Sequence, residues 1–168
     1  MDTWREFYYL CGSSAAGLTG LMFIAVTFGS RLITKEKLPN VDTFISPICY
    51  HFVQVFFLCC VALAPTAGPA VMGIIITITG VWRMLQIPKS YRLMKAASRE
   101  SNDIETSDWI VGLYLPAAVY ALLIAVGLSY LFEVAIAPSL FAVALIALLM
   151  IGIRAAWDML IWIATKID

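Results

Sequence analysis

The sequence predicts an all-α fold, an integral membrane bundle of five transmembrane helices with the N-terminus outside and the C-terminus in the cytoplasm. Three observations carry this. Of 168 residues, 62% are hydrophobic and 13% charged, about half the charge of a soluble domain. Charge-free stretches cover 7–30, 43–82, 109–132 and 134–153, where a bilayer needs about 20 apolar residues per helix. Lys and Arg collect in alternate gaps between them. The whole chain, 1–168, reads as one transmembrane domain with no room for a soluble module.

Helix 1 is expected over about 7–28. Its start, Met1-Asp2-Thr3-Trp4-Arg5-Glu6, has one base and two acids, unlike the cationic start of a cleaved signal, so the helix is read as retained. Helix 2 is expected over about 43–63. Ala64-Pro65-Thr66-Ala67-Gly68-Pro69 then makes a turn, because prolines lack the amide that a continuing helix requires. Helix 3 runs over about 69–87, and Pro88 is expected to end it and open a cytoplasmic connector, 88–108. Helix 4 (about 109–132) starts behind Ser107 and Asp108, which suit the free amides of a helix start. Helix 5 (about 138–164) opens on Pro138, tolerated in a first turn.

Orientation follows from basic residues in short loops. Arg31, Lys35 and Lys37 follow helix 1, and Lys89, Arg92, Lys95 and Arg99 follow helix 3, with Lys166 at the C-terminus. The turns after helices 2 and 4 contain no base. A weak internal echo, Trp82-Arg83-Met84-Leu85 against Trp157-Asp158-Met159-Leu160, is compatible with a duplicated hairpin or with coincidence among apolar helices.

Helix 1 carries a packing signal. Gly12, Ala16 and Gly20 recur every fourth residue, with Ser13 and Gly17 in a second row beside them, a smooth face that permits close backbone approach. That face suits another helix of the same chain, a second copy, or a pore lining. In the same segment Trp4, Phe7-Tyr8, Gly12, Ala15-Ala16, Leu18, Gly20-Leu21, Phe23 and Ala25-Val26 resemble the opening of small, uncharacterised bacterial multi-pass membrane proteins. The resemblance covers about the first 25 residues and implies a bacterial inner (plasma) membrane, with no activity attached.

Polar groups within helices are costly and therefore informative. His51 and Gln54 share one face of helix 2, and Arg154 and Asp158 one face of helix 5. At about 1.5 Å of rise per residue, all four lie roughly 9 to 16 Å from the cytoplasmic end. Thr77 and Tyr120, with Thr19 and Thr79, fall at similar heights, and Arg83 a little lower. An interior polar cluster of His51, Gln54, Arg154, Asp158, Thr77 and Tyr120 is expected. Arg154 and Asp158 could serve ion movement or simply neutralise each other. His51 could be a proton-responsive group or a neutral, hydrogen-bonded imidazole.

Lys89, Arg92, Lys95 and Arg99 follow helical spacing beside Tyr91, Leu93 and Met94, as in a short amphipathic helix on anionic lipid headgroups. The four cysteines read as buried thiols, with a disulfide near the outer face as the alternative. No cofactor or metal is expected, because Cys49-x-His51 has no second histidine to complete a zinc set.

Net charge is zero, with 11 basic and 11 acidic residues, and no basic stripe suggests nucleic acid. No phosphate loop, paired-histidine motif or nucleophile elbow is present, so no enzyme is expected. Thr77-Ile78-Thr79-Gly80 lacks the potassium-filter pattern. Two readings remain: a small oligomeric channel or transporter for an ion or proton that uses the interior cluster, or a noncatalytic accessory subunit of a larger membrane complex. The partners expected are the lipid bilayer and either a second copy or another membrane protein.

Overall fold

In the computed structural model, which describes residues 2–35, 41–65, 67–100 and 109–165, the chain is all-α. Among the described residues five α-helices are formed: α1 (Asp2–Lys35), α2 (Val41–Leu63), α3 (Pro69–Glu100), α4 (Leu115–Leu131) and α5 (Ala137–Thr165). Four contain apolar spans long enough to cross a membrane, namely Trp4–Thr27, Pro69–Arg92, Gly112–Leu131 and Ala137–Asp158; the apolar part of α2 described here, Cys49–Leu63, is shorter.

Helix α5 occupies the middle of the bundle and touches α1, α2 and α4. Its Phe141, Ala144, Leu145 and Leu148 are fully buried against Val55 and Leu58 of α2 and Leu123 and Val126 of α4. The most extensive helix pair is α3 with α4, followed by α1 with α2, whereas α2 and α3 barely meet. Near the start of α1, Tyr8 packs 5.6 Å from Phe141, which in turn stands 6.1 Å from Tyr130 between ring centroids. This aromatic layer closes one end of the core.

The α3–α4 pair is close because both helices present glycine at the crossing. A Cβ on Gly127 would fall 2.7 Å from the Thr77 amide nitrogen and 2.8 Å from the Gly73 carbonyl oxygen, and one on Gly73 would fall 2.8 Å from the Gly127 carbonyl oxygen. Backbone therefore lies on backbone, as in tightly packed membrane helices.

Pro88 does not end α3, in contrast to the sequence expectation; the helix runs on to Glu100. Proline removes one amide and crowds one carbonyl, which can bend a helix without terminating it. Beyond it, Lys, Arg, Leu, Met and Ala favour helix. The extension is held by Tyr91, 5.7 Å from the Trp109 ring, and Lys95 Nζ lies 5.7 Å over Tyr91. Lys89, Arg92 and Lys95 are exposed. The Arg99 side chain, residues 101–108 of the expected connector with Ser107 and Asp108, and Lys37 and Lys166 lie outside the described residues.

Before α4 the chain makes a π-helical turn, Ile110–Tyr114, in which the Leu115 amide donates to the Ile110 carbonyl five residues back. Pro116 explains it. Having no amide, it cannot close a four-residue step onto Gly112, and the widened turn relieves its ring. Helix α4 ends with Glu133 at φ 53°. The Glu133 amide donates to Tyr130 (3.2 Å) and the Val134 amide to Ser129 (2.9 Å), a Schellman closure formed without the usual glycine.

Candidate functional site

Two of the expected cluster residues, His51 and Tyr120, meet in the part of the core remote from the aromatic layer, and a third, Gln54, lies one turn along α2 from His51. His51 sits on α2 with 4% exposure and Tyr120 on α4 with 2%. The Tyr120 hydroxyl lies 2.7 Å from His51 Nδ1, with the rings stacked at 5.9 Å and 21°. In the Nε2–H tautomer the phenol donates to Nδ1. A short bond between two buried groups orients both side chains, since either one left alone would carry an unmet desolvation cost.

Arg83 of α3 completes the arrangement. Its guanidinium carbon lies 5.0 Å from the Tyr50 ring centroid and 5.2 Å from that of Tyr120, both cation–π distances. Nη1 donates to Gln86 Oε1 at 3.1 Å. Nε is buried with no hydrogen-bond partner, and so is Nε2 of Gln54, a residue only 9% exposed. Among the described residues no carboxylate pairs with Arg83; the ion pair present is Arg154 with Asp158.

Gln54 and Arg83 both line a crevice of about 280 Å³ between α2 and α3, with Tyr50, Val53 and Phe57 on the α2 wall and Ile78, Thr79 and Trp82 on the α3 wall; their orphaned donor atoms are buried behind its surface. The spacing explains the walls. Residues 50, 53, 54 and 57 share one face of a 3.6-residue helix, as do 78, 79, 82 and 83. Because α2 and α3 touch so little, these faces are not closed by each other.

The remaining expected residues lie elsewhere. Arg154 and Asp158 do pair, Nε to Oδ2 at 3.1 Å, but their side chains are 61% and 51% exposed on the outer flank of α5. The inward stripe of α5, through Leu145, Leu148, Ile151 and Gly152, continues to Ala155 and Ala156, which leaves 154 and 158 outside it. Thr77 is also not part of the cluster. Its hydroxyl donates to the Gly73 carbonyl at 2.7 Å, and the same hydroxyl and the Thr77 amide lie at the glycine crossing, against Gly127. Thr19 and Thr79 likewise donate to their own helices, at 2.8 Å to Ala15 and 2.9 Å to Ile75. This is the usual resolution for a hydroxyl within a helix.

The small residues of α1 divide between two environments. Gly12 is buried, and a Cβ there would stand 3.0 Å from Cys59 Cβ of α2. Ser13, Ala16, Gly17 and Gly20 are exposed, with open space at Gly17 and Gly20. The inward face of α1 is instead Tyr8, Cys11, Gly12, Ala15 and Met22. All four cysteines are free thiols, and among the described residues no three His, Cys, Asp or Glu side chains converge on a metal position.

Sequence reasoning placed Arg83 a little lower than the other polar residues and did not name it among the cluster's members. The signal that would have included it is the spacing Thr79-x3-Arg83 on the face opposite Tyr50 and Gln54. The arrangement presents a fixed cation and an amide donor, both short of acceptors, beside a buried His–Tyr pair. It is suited to holding an anion. Compared with family models, curated proteins and solved structures, the chain matches none.

Proposed function

We propose that this chain is a multi-pass protein of a bacterial inner membrane, with five spans, the N-terminus outside and the C-terminus in the cytoplasm, and that it works as a small oligomeric channel or transporter that binds an anion at Arg83. Support for the membrane comes from the outer surface. Leu10, Leu21, Phe23, Ile78, Trp82, Leu85, Met150 and Trp157 are all more exposed than buried, an apolar surface far beyond what water tolerates. Support for the orientation is the placement of bases after helices 1 and 3. The exposed Lys89, Arg92 and Lys95 then face anionic headgroups on the cytoplasmic side.

The observation that carries the anion reading is Arg83 Nε, buried within an apolar span without an acceptor. A cation within the acyl region is retained against a cost that reaches about 2.5 to 3.5 kcal/mol at a helix centre on insertion scales. An anion in the crevice beside the guanidinium would offset that cost and, once the Arg83 and Gln54 side chains turn toward it, supply the missing hydrogen bonds. Proteoliposomes containing the protein are expected to release entrapped anions faster than empty vesicles, with chloride, inorganic phosphate and hexanesulfonate as probes. Arg83→Gln is expected to slow the release about tenfold, the loss of one charged hydrogen bond, whereas Arg154→Gln leaves it unchanged. Equal release with and without protein for every probe would reject transport.

The oligomeric part of the proposal is supported by the exposed row Ser13, Ala16, Gly17 and Gly20, which none of the described side chains covers. Gly20→Leu adds a side chain into open space, so the fold of the chain is expected to survive while the subunit count falls. Native mass determination after mild extraction reads this directly. An unchanged count places the contact elsewhere. The same measurement would favour the accessory-subunit reading if a different membrane protein came away in fixed ratio.

A further inference from the structure

The crevice between α2 and α3 is polar at one end and apolar at the other, and both walls run the same way. On α2 the order is Tyr50, Gln54, Phe57; on α3, which returns antiparallel, it is Arg83, Thr79, Ile78. The 5.0 Å contact of Arg83 with the Tyr50 ring sets the register. One end is therefore formed by Gln54 and Arg83 beside Tyr50, with Gln54 Nε2 and Arg83 Nε buried without acceptors just behind the wall, and the other end by Phe57 and Ile78. Arg83 lies six residues before Lys89 on the same helix, about 9 Å along it. That is the distance between a headgroup layer and the first part of the acyl region.

We propose that the crevice holds an anionic amphiphile entering sideways from the bilayer, with its phosphate or carboxylate head against Arg83 and Gln54 and its alkyl chain along Val53, Phe57 and Ile78. The inference rests on the reading of Arg83 as the anion-holding group and names the class of that anion. Charge complementarity selects an anionic head, since Arg83 has no carboxylate partner among the described residues. The walls select a tail. From Tyr50 to Phe57 the crevice follows α2 for about 10 Å, and a free inorganic anion would occupy only its polar end. An alkyl chain fills the rest and covers Ile78, which is 61% exposed. The weak contact between α2 and α3 leaves a side opening, so such a ligand need not cross an aqueous mouth.

The test uses the full chain purified in neutral dodecyl maltoside and followed by native mass spectrometry during titration with dodecyl phosphate or inorganic phosphate. A dodecyl phosphate adduct is expected to form at concentrations at least about tenfold below those needed for inorganic phosphate, which lacks the buried chain. Arg83→Gln is expected to weaken it about tenfold or more. Ile78→Trp fills the apolar end at an exposed position, keeps Arg83, and is expected to weaken dodecyl phosphate while leaving inorganic phosphate unchanged; it also covers the case in which Arg83→Gln does not fold. The combined change Lys89→Gln, Arg92→Gln, Lys95→Gln is expected to have no effect on the adduct. Equal affinity for the two phosphates would overturn the amphiphile and keep the anion site. Absence of both adducts would remove the anion site as well, and loss of the adduct only in the triple variant would move the lipid to the exposed helix and overturn the proposal. Anion release from vesicles that persists without an amphiphile adduct would leave transport standing alone.

Discussion

Gly127→Leu is expected to prevent α3 and α4 from pairing and to cost about 3 kcal/mol or more, the upper range for overpacking in a core that cannot yield. The atoms in the way belong mainly to backbone. A Cβ at 127 meets the Thr77 hydroxyl first, then the Thr77 amide nitrogen at 2.7 Å and the Gly73 carbonyl at 2.8 Å. Thermal or denaturant unfolding in detergent reads the loss. Two companions sharpen the test. Gly17→Leu, at a position facing open space, is expected to remain within about 0.5 kcal/mol of the parent. Gly127→Ala combined with Thr77→Gly removes the hydroxyl but not the backbone contacts, so it restores only part of the loss. Full restoration would mean that the helices are not held at this distance.

Tyr120→Ala is the second large effect, at about 3 to 5 kcal/mol, because it empties the space of a fully buried aromatic ring. Tyr120→Phe keeps the ring and deletes one oxygen. It is expected to cost about 1 to 3 kcal/mol, since His51 Nδ1 is then buried without a partner. A double-mutant cycle with His51→Leu isolates the pair, and a coupling of about 1 kcal/mol or more is expected for a 2.7 Å bond in the core. Because Phe preserves an aromatic face 5.2 Å from Arg83, the cation stays in place. Tyr120→Phe should therefore lower the unfolding midpoint far more than it lowers anion release, and the reverse order would place the hydroxyl in the transport step.

The helices were legible because length, charge and proline act locally. Pro65 and Pro69 bracket the turn between α2 and α3, and Pro138 falls in the first turn of α5 as expected. The error at Pro88 arose from treating proline as a terminator, when the residues beyond it favour helix and Tyr91 finds Trp109 after the chain returns. That contact joins parts of the chain no local rule connects. In the site, depth was legible and facing was not. His51, Gln54 and Tyr120 were grouped by height along their helices, which rise per residue supplies. Whether Arg154 turns inward depends on where the other four helices stand, and α5 uses Ile151, Gly152 and Ala155 for its contacts instead. The backbone-on-backbone approach of Gly73 and Gly127 was missed for a related reason. The Gly–Ala row of α1 had the better sequence pattern, yet small residues mark a contact only where a second helix also offers one.

The unbroken course of α3 has a geometric consequence. Thirty-two residues, Pro69–Glu100, make a rod of about 48 Å, while the oily slab of a bilayer is about 30 Å thick. A rod standing upright would therefore rise about 18 Å clear of that slab, and one lying wholly within it would have to lean over by roughly 50°. In the proposed upright setting its last turns would form a post that soluble molecules meet before they reach the bilayer, rooted in the same helix that carries Arg83.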